Sequence, residues 1–108
     1  MIEGLWIVQF QALHGSDSGV VVLVNGRVLG GDNACTYIGD YAVQDGKIVA
    51  QVKISFFRTD VRSVLGLPGD AELRLSASIS SDLIEGGMTL VGERGPGLVV
   101  KLTKRASL

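Results

Sequence analysis

The sequence predicts an all-β domain, an eight-stranded antiparallel up-and-down barrel. Apolar and polar residues alternate along several segments, as in strands that bury one face. Turn signals divide the chain at about seven places, and short links between successive strands favour a meander of about eight strands. Closure of such a meander removes the exposed edges that an open apolar sheet would present. No segment shows an amphipathic helix of three turns, although residues 60–65 can form a single helical turn.

Four of the predicted strands show their core face directly in the sequence. In the clearest one, residues 47–56, apolar residues occupy every second position and only Val49 interrupts the polar face. The residues predicted to point into the barrel are Trp6, Val8, Phe10, Ala12, Ile48, Ala50, Val52, Ile54, Phe56, Ala71, Leu73, Leu75, Ala77, Ile79, Leu98, Val100 and Leu102.

Asn25-Gly26 is the strongest local turn signal in the chain. Both central residues of a type I′ hairpin turn take positive φ, which costs Asn and Gly least. The pair therefore predicts that the strands on its two sides are antiparallel neighbours. Asp45-Gly46 predicts a second tight turn for the same reason. Polar and glycine-rich stretches at residues 14–18 and 80–87 are interpreted as further links.

The second strand is apolar on both faces, because residues 20–24 are Val-Val-Val-Leu-Val. One of these faces meets water on an isolated barrel, and an outward apolar stripe favours a contact surface. Val20, Val22 and Val24 are therefore candidates for a homodimer interface. Alternatively, loops or a terminus of the same chain cover the stripe.

The predicted barrel interior has two interpretations. An eight-stranded barrel either fills its interior with side chains or holds one small ligand. If it holds an apolar molecule, the candidate lining residues on two successive strands are Val52, Ile54, Phe56, Leu73 and Leu75. Small inward residues such as Ala50 and Ala77 leave room for a ligand, but they also suit ordinary close packing.

Composition favours one domain, residues 1–108, because the chain is long enough for one core and too short for two. The formal net charge of −1 leaves no basic excess to neutralise phosphates, so direct nucleic-acid binding is not expected. The N-terminus lacks a signal-peptide pattern, and no apolar run is long enough for a transmembrane helix. We therefore expect a cytoplasmic protein without a membrane partner.

The sequence offers no catalytic or metal-binding constellation. The single histidine, His14, lies in one short polar segment with Ser16, Asp17 and Ser18, and such close neighbours cannot adopt the geometry of a triad. One histidine also gives no zinc-ligand spacing. Cys35 has no basic neighbour in sequence, which favours a buried and unreactive thiol. A non-enzymatic protein without metal or cofactor is expected.

The order of several short motifs resembles the GrlR family, negative regulators of type III secretion gene expression. The motifs are Gly-Leu-Trp at residues 4–6, Ser-Gly-Val-Val-Val-Leu-Val-Asn-Gly-Arg-Val-Leu-Gly-Gly-Asp at residues 18–32, Tyr-Ile-Gly at residues 37–39 and Ser-Val-Leu-Gly at residues 63–66. The likeness extends over residues 4–95. It implies a lipocalin-like barrel that dimerises, and a regulator that binds a transcriptional activator protein rather than DNA.

The chain departs from that family at one hairpin. The resemblance implies that a run of acidic residues, on the hairpin after the Tyr-x-Gly strand, engages the activator. Here the corresponding residues are Gln44, Asp45, Gly46 and Lys47, with one acid and one lysine. A tight turn is their structural interpretation. The acidic contact is therefore not carried over to this chain.

These observations leave two functional hypotheses. The first is a non-enzymatic regulator that binds a protein partner such as a transcriptional activator. The alternative is a small barrel that binds a hydrophobic ligand or lipid in its interior. The two hypotheses are compatible if binding of the ligand changes the affinity of the barrel for its protein partner.

Overall fold

The computed structural model describes residues 2–12, 15–58, 70–92 and 97–108. They form eight strands, which are β1 (Gly4–Ala12), β2 (Gly15–Val24), β3 (Arg27–Gly31), β4 (Cys35–Gln44), β5 (Lys47–Phe56), β6 (Ala71–Ser80), β7 (Leu83–Leu90) and β8 (Leu98–Ser107). Each strand pairs with the next, and β8 pairs with β1 to close the barrel. The predicted all-β, eight-stranded antiparallel barrel is confirmed. The candidate helical turn at residues 60–65 lies outside the described residues.

Two tight turns form where the sequence predicts them. The central residues all have positive φ, with 49° at Asn25, 76° at Gly26, 54° at Asp45 and 74° at Gly46. Two-residue loops of this type match the twist of the flanking strands. They set the register of β2 against β3 and of β4 against β5.

Two predicted links are wrong in extent. Residues 15–18 belong to β2 rather than to a turn, because they pair with the end of β1. The predicted link over residues 80–87 contains only a two-residue turn, Ser81 and Asp82, and β7 begins at Leu83. Polar and glycine residues that favour turns in isolation are held in strands here by their neighbours in the barrel.

Inward side chains of all eight strands form one core. Most of the residues predicted to face inward are buried, and the remaining five, at or near strand ends, are half-buried. These five are Ala12, Phe56, Ala71, Ile79 and Leu98. No charged side chain is buried in the part of the chain that the structure describes, and the polar groups in the core belong to Trp6, Cys35 and Tyr37.

The closure between β1 and β8 contains a register shift at Leu5 and Trp6. Trp6 is fully buried at this point, and its indole N–H donates a hydrogen bond of 2.9 Å to the Ile2 carbonyl. The Lys104 ammonium lies 5.7 Å from the centre of the indole ring. The aromatic side chain therefore has its polar group satisfied and its ring covered at the closing seam.

Candidate functional site

The outside of β1, β2, β3 and β4 carries a contiguous row of apolar side chains. The strand register places Leu5 opposite Val22, Val22 opposite Leu29, and Leu29 opposite Ile38. Side chains directly opposite on neighbouring strands are in contact distance. Ile7 and Val20 form a second pair beside this row, and Val24 adjoins it on the other side. The seven residues Leu5, Ile7, Val20, Val22, Val24, Leu29 and Ile38 are called the outer apolar face below.

Three residues of the outer apolar face are exposed, namely Leu5 at 38%, Val20 at 48% and Ile38 at 49%. The other four are half-buried. Arg27 and Asp40 border the face, opposite each other on β3 and β4. The apolar residues are therefore joined into one patch rather than scattered singly, which is the arrangement typical of contact surfaces.

The predicted stripe of Val20, Val22 and Val24 lies within this face. All three side chains project outward, while Val21 and Leu23 between them are buried in the core. Homodimerisation through the stripe stays a prediction. Sequence reasoning missed the other four members, although Asn25-Gly26 already sets the register that brings β3 beside β2.

The β4–β5 hairpin places Gln44, Asp45, Gly46 and Lys47 together at one end of the barrel, all exposed. The Gly46 carbonyl accepts a hydrogen bond of 2.9 Å from the Ile79 backbone N–H, which ties the hairpin to β6. This geometry accounts for the four residues as a tight turn. Their role in partner binding stays a prediction.

The candidate cavity residues point into the barrel. Val52, Ile54, Leu73 and Leu75 are each at most 6% exposed, and Phe56 is half-buried at the end of β5. All five pack within or against the single core cluster. Their predicted orientation is present in the structure, and their lining of a ligand cavity stays a prediction.

Asp32 organises the turn between β3 and β4. Its Oδ1 accepts hydrogen bonds of 2.8 Å from the backbone N–H groups of Ala34 and Cys35. Its Oδ2 accepts a hydrogen bond from the Tyr37 hydroxyl, and Tyr37 is only 2% exposed. The Tyr37 ring in turn packs edge to face against Phe10, with ring centres 5.6 Å apart. One carboxylate thus satisfies three donors and holds an aromatic pair at this end of the barrel.

Two titratable groups of β4 beside this turn, the Cys35 thiol and the Tyr37 hydroxyl, are held in their neutral forms. Burial raises the pKa of the Cys35 thiol from 9.0 to about 11, and the negative charges of Asp32, Asp17 and Asp70 add to the rise. Burial, followed by the hydrogen bond to Asp32, raises the pKa of Tyr37 far above its usual range. A buried thiol with a raised pKa has little thiolate, so Cys35 lacks the character of a nucleophile.

Alkaline pH should therefore destabilise the fold. Because the folded state holds the Cys35 proton more tightly, its stabilising contribution is complete below pH 9 and is lost as pH rises to about 11. We expect this thiol to account for at most about 2–3 kcal/mol of that loss. Urea unfolding between pH 8 and about pH 11 measures it. Cys35→Ala should show a shallower decline, and equal slopes in the two proteins would contradict this assignment.

A polar groove of about 590 Å³ lies on the outside of β1, β2, β7 and β8. Gln9 of β1 lies opposite Ser18 of β2 and opposite Lys101 of β8. Lys101 in turn lies opposite Glu85 of β7. These four side chains are exposed, as is typical of a solvated barrel wall.

Within the described ranges, no three His, Cys, Asp or Glu side chains are grouped so as to hold a metal ion. His14 lies outside those ranges.

Comparison with protein-family models and with curated proteins identifies no relative. The chain matches no protein-family model, and no curated protein matches it significantly. No helix in the part of the chain that the structure describes is long and apolar enough to cross a membrane.

Proposed function

We propose that this chain is a non-enzymatic regulatory protein that acts in the cytoplasm by binding another protein chain. The outer apolar face is the observation that carries the proposal, because a contiguous exposed apolar patch marks a protein contact surface. The resemblance of the sequence to the GrlR family supports the same mode of action. It also names a transcriptional activator as the class of regulated partner, and a homodimer as the assembled form.

The closed barrel restricts how such a contact forms. Each of the eight described strands pairs with a neighbour on both sides, although residues 15–19 of β2 extend beyond its pairing with β3. No whole strand is therefore free for β-augmentation, which favours contact through side chains. Burial of apolar surface contributes about 25 cal/mol per Å², and the outer apolar face is the surface on which β1–β4 place such side chains side by side.

Affinity capture from the native host tests this proposal. Val20→Lys puts a charge into the outer apolar face. Val49→Lys is the matched control, because Val49 is also a strand valine, is 50% exposed and lies on β5 outside the face. We expect the wild type and Val49→Lys to retain a specific protein that Val20→Lys loses. Equal capture by all three proteins would show that the face is not the contact.

Asp45→Asn should leave both the fold and partner binding nearly unchanged. Asn-Gly supports the same turn as Asp-Gly, and an exposed charge pair contributes only about 0–1 kcal/mol. Circular dichroism checks the fold, and quantitative capture of the partner checks binding. Loss of the partner with a native spectrum would identify Asp45 as a contact and would restore the acidic mode that the family resemblance implies.

A ligand-binding barrel is the second candidate, supported by the inward apolar side chains of β5 and β6. An environment-sensitive apolar dye should then bind the folded protein. Leu75→Arg should abolish this binding, whereas Val49→Arg on the outer wall should not, and circular dichroism must show that both variants fold. The absence of any dye binding to the folded wild type would reject the ligand hypothesis.

A further inference from the structure

We propose that the polar groove on the outside of β1, β2, β7 and β8 binds a neutral sugar ring, either as a free sugar or at the end of a glycan. The proposal goes beyond the proposed function, because it concerns side chains that take no part in the outer apolar face. It is carried by the size of the groove, by the unpartnered polar side chains that line it, and by the balance of charge along it.

The groove has the dimensions of a small-molecule site. Its volume of about 590 Å³ lies within the range of about 300–1,000 Å³ that is typical of such sites. From Ser18 on β2 to Glu85 on β7 the groove crosses three strand spacings, which amount to about 14 Å. A sugar ring therefore fits along this row.

Four uncharged polar side chains line the groove on β1 and β2. Gln9 lies opposite Ser18, Gln11 lies opposite Ser16, and all four are exposed. An amide offers two N–H donors and a carbonyl acceptor, and a hydroxyl both donates and accepts. Among the described residues, these four side chains make no hydrogen bond to a neighbour, so their polar groups can bind a ligand. Sugar hydroxyls also donate and accept, which makes them complementary to this set of groups.

The charges along the groove favour a neutral ligand over an ion. Lys101 and Glu85 lie directly opposite each other on β8 and β7, and both are exposed. Asp17 also borders the groove, but it alternates onto the inner face of β2, the face of the buried Val21. Charged ligands are guided to a patch of opposite sign. The exposed lining has no net charge to guide an anion or a cation, although both charged groups can still bond a ligand hydroxyl.

Val99 provides an apolar surface beside these polar groups. It lies opposite Gln11 and is 63% exposed. A sugar ring carries C–H groups on its faces and hydroxyls at its edge, so packing one face against the valine buries apolar surface. The hydroxyls then reach the glutamine amides. Because the groove is open and each hydrogen bond replaces one to water, we expect a dissociation constant of about 1–10 mM.

NMR titration of the isotope-labelled full chain tests the proposal. The probes are glucose, galactose, mannose, N-acetylglucosamine, maltose and cellobiose, each at up to about 50 mM. At least one of them should shift the side-chain amide resonances of Gln9 and Gln11 along a saturating curve. Gln11→Ala should weaken this binding at least about fivefold. Gln51→Ala changes an exposed glutamine of β5 outside the groove and should bind as wild type does. Circular dichroism must show that both variants fold.

Several outcomes would overturn the proposal. One is the absence of a saturating shift with every sugar in the wild type, which requires no variant to fold. Another is an equal response to glycerol, because a site built for a ring distinguishes it from a short polyol. A response to inorganic phosphate alone would assign the groove to an anion instead.

Salt dependence checks the neutral character of the ligand. The affinity for the sugar should change less than about twofold between about 20 and about 500 mM sodium chloride, because salt screens only charged contacts. A steep loss of affinity would contradict a neutral ligand and overturn the proposal. The titration involves no host protein, so its failure leaves the proposed function standing.

Discussion

Asp32→Ala is expected to lower the free energy of unfolding by about 3–5 kcal/mol. The substitution leaves the Tyr37 hydroxyl without its acceptor at a position that is 2% exposed. It also removes the acceptor of the Ala34 and Cys35 backbone N–H groups, both of which belong to buried residues. Each buried donor left without a partner costs about 1–3 kcal/mol. Urea unfolding at neutral pH measures the change.

A double-mutant cycle apportions this effect. Tyr37→Phe removes the hydroxyl together with its need for an acceptor, so we expect a smaller loss of about 1–2 kcal/mol. In the Tyr37→Phe background, Asp32→Ala should cost about 1–3 kcal/mol less than in the wild type, because the two groups are coupled directly. Additive effects would show that the carboxylate stabilises the turn only through its backbone contacts.

The predictable part of this fold is the part that local chemistry controls. Positive φ at Asn25 and Asp45 follows from Asn-Gly and Asp-Gly alone, and each turn sets the register of its hairpin. Alternation with period two identifies inward residues such as Ile48 and Leu73 because the opposite faces of a strand meet different surroundings. Eight short segments with such links can bury their apolar faces by closing into a barrel, which also removes exposed edges.

The parts that were missed depend on neighbours distant in sequence. Residues 16–18 are polar and favour a turn, but pairing with β1 keeps them in a strand. The outer apolar face forms only when four strands are in register. Ile38, for example, lies nine residues from Leu29 in the sequence but directly opposite it in the barrel. The contact between Asp32 and Tyr37 likewise depends on how β4 returns beside β3.

Gly39→Ala is expected to destabilise the barrel by about 3 kcal/mol or more. Gly39 lies in β4 between Val28 of β3 and Val52 of β5. An added Cβ would overlap the Gln51 carbonyl oxygen and lie 2.8 Å from the Val52 Cα. Both atoms belong to the backbone, so a change of side-chain rotamer cannot relieve the overlap. Relief requires separating β4 from β5, and this breaks pairing in the middle of a closed sheet.

Gly87→Ala is the matched control, because it adds the same methyl group to a strand glycine of the same barrel. At Gly87 the nearest atom to an added Cβ is the Leu98 carbonyl oxygen at 3.6 Å, an ordinary contact. Alanine there reduces the freedom of the unfolded chain, so stability should change by no more than about 1 kcal/mol, in the stabilising direction. Thermal and urea unfolding of the two variants measure the difference. If they show similar stabilities, close approach of the β4 and β5 backbones is not what requires glycine at position 39. If Gly39→Ala fails to accumulate as a folded protein while Gly87→Ala is native, the same steric argument holds, because only one of the two methyl groups meets backbone atoms.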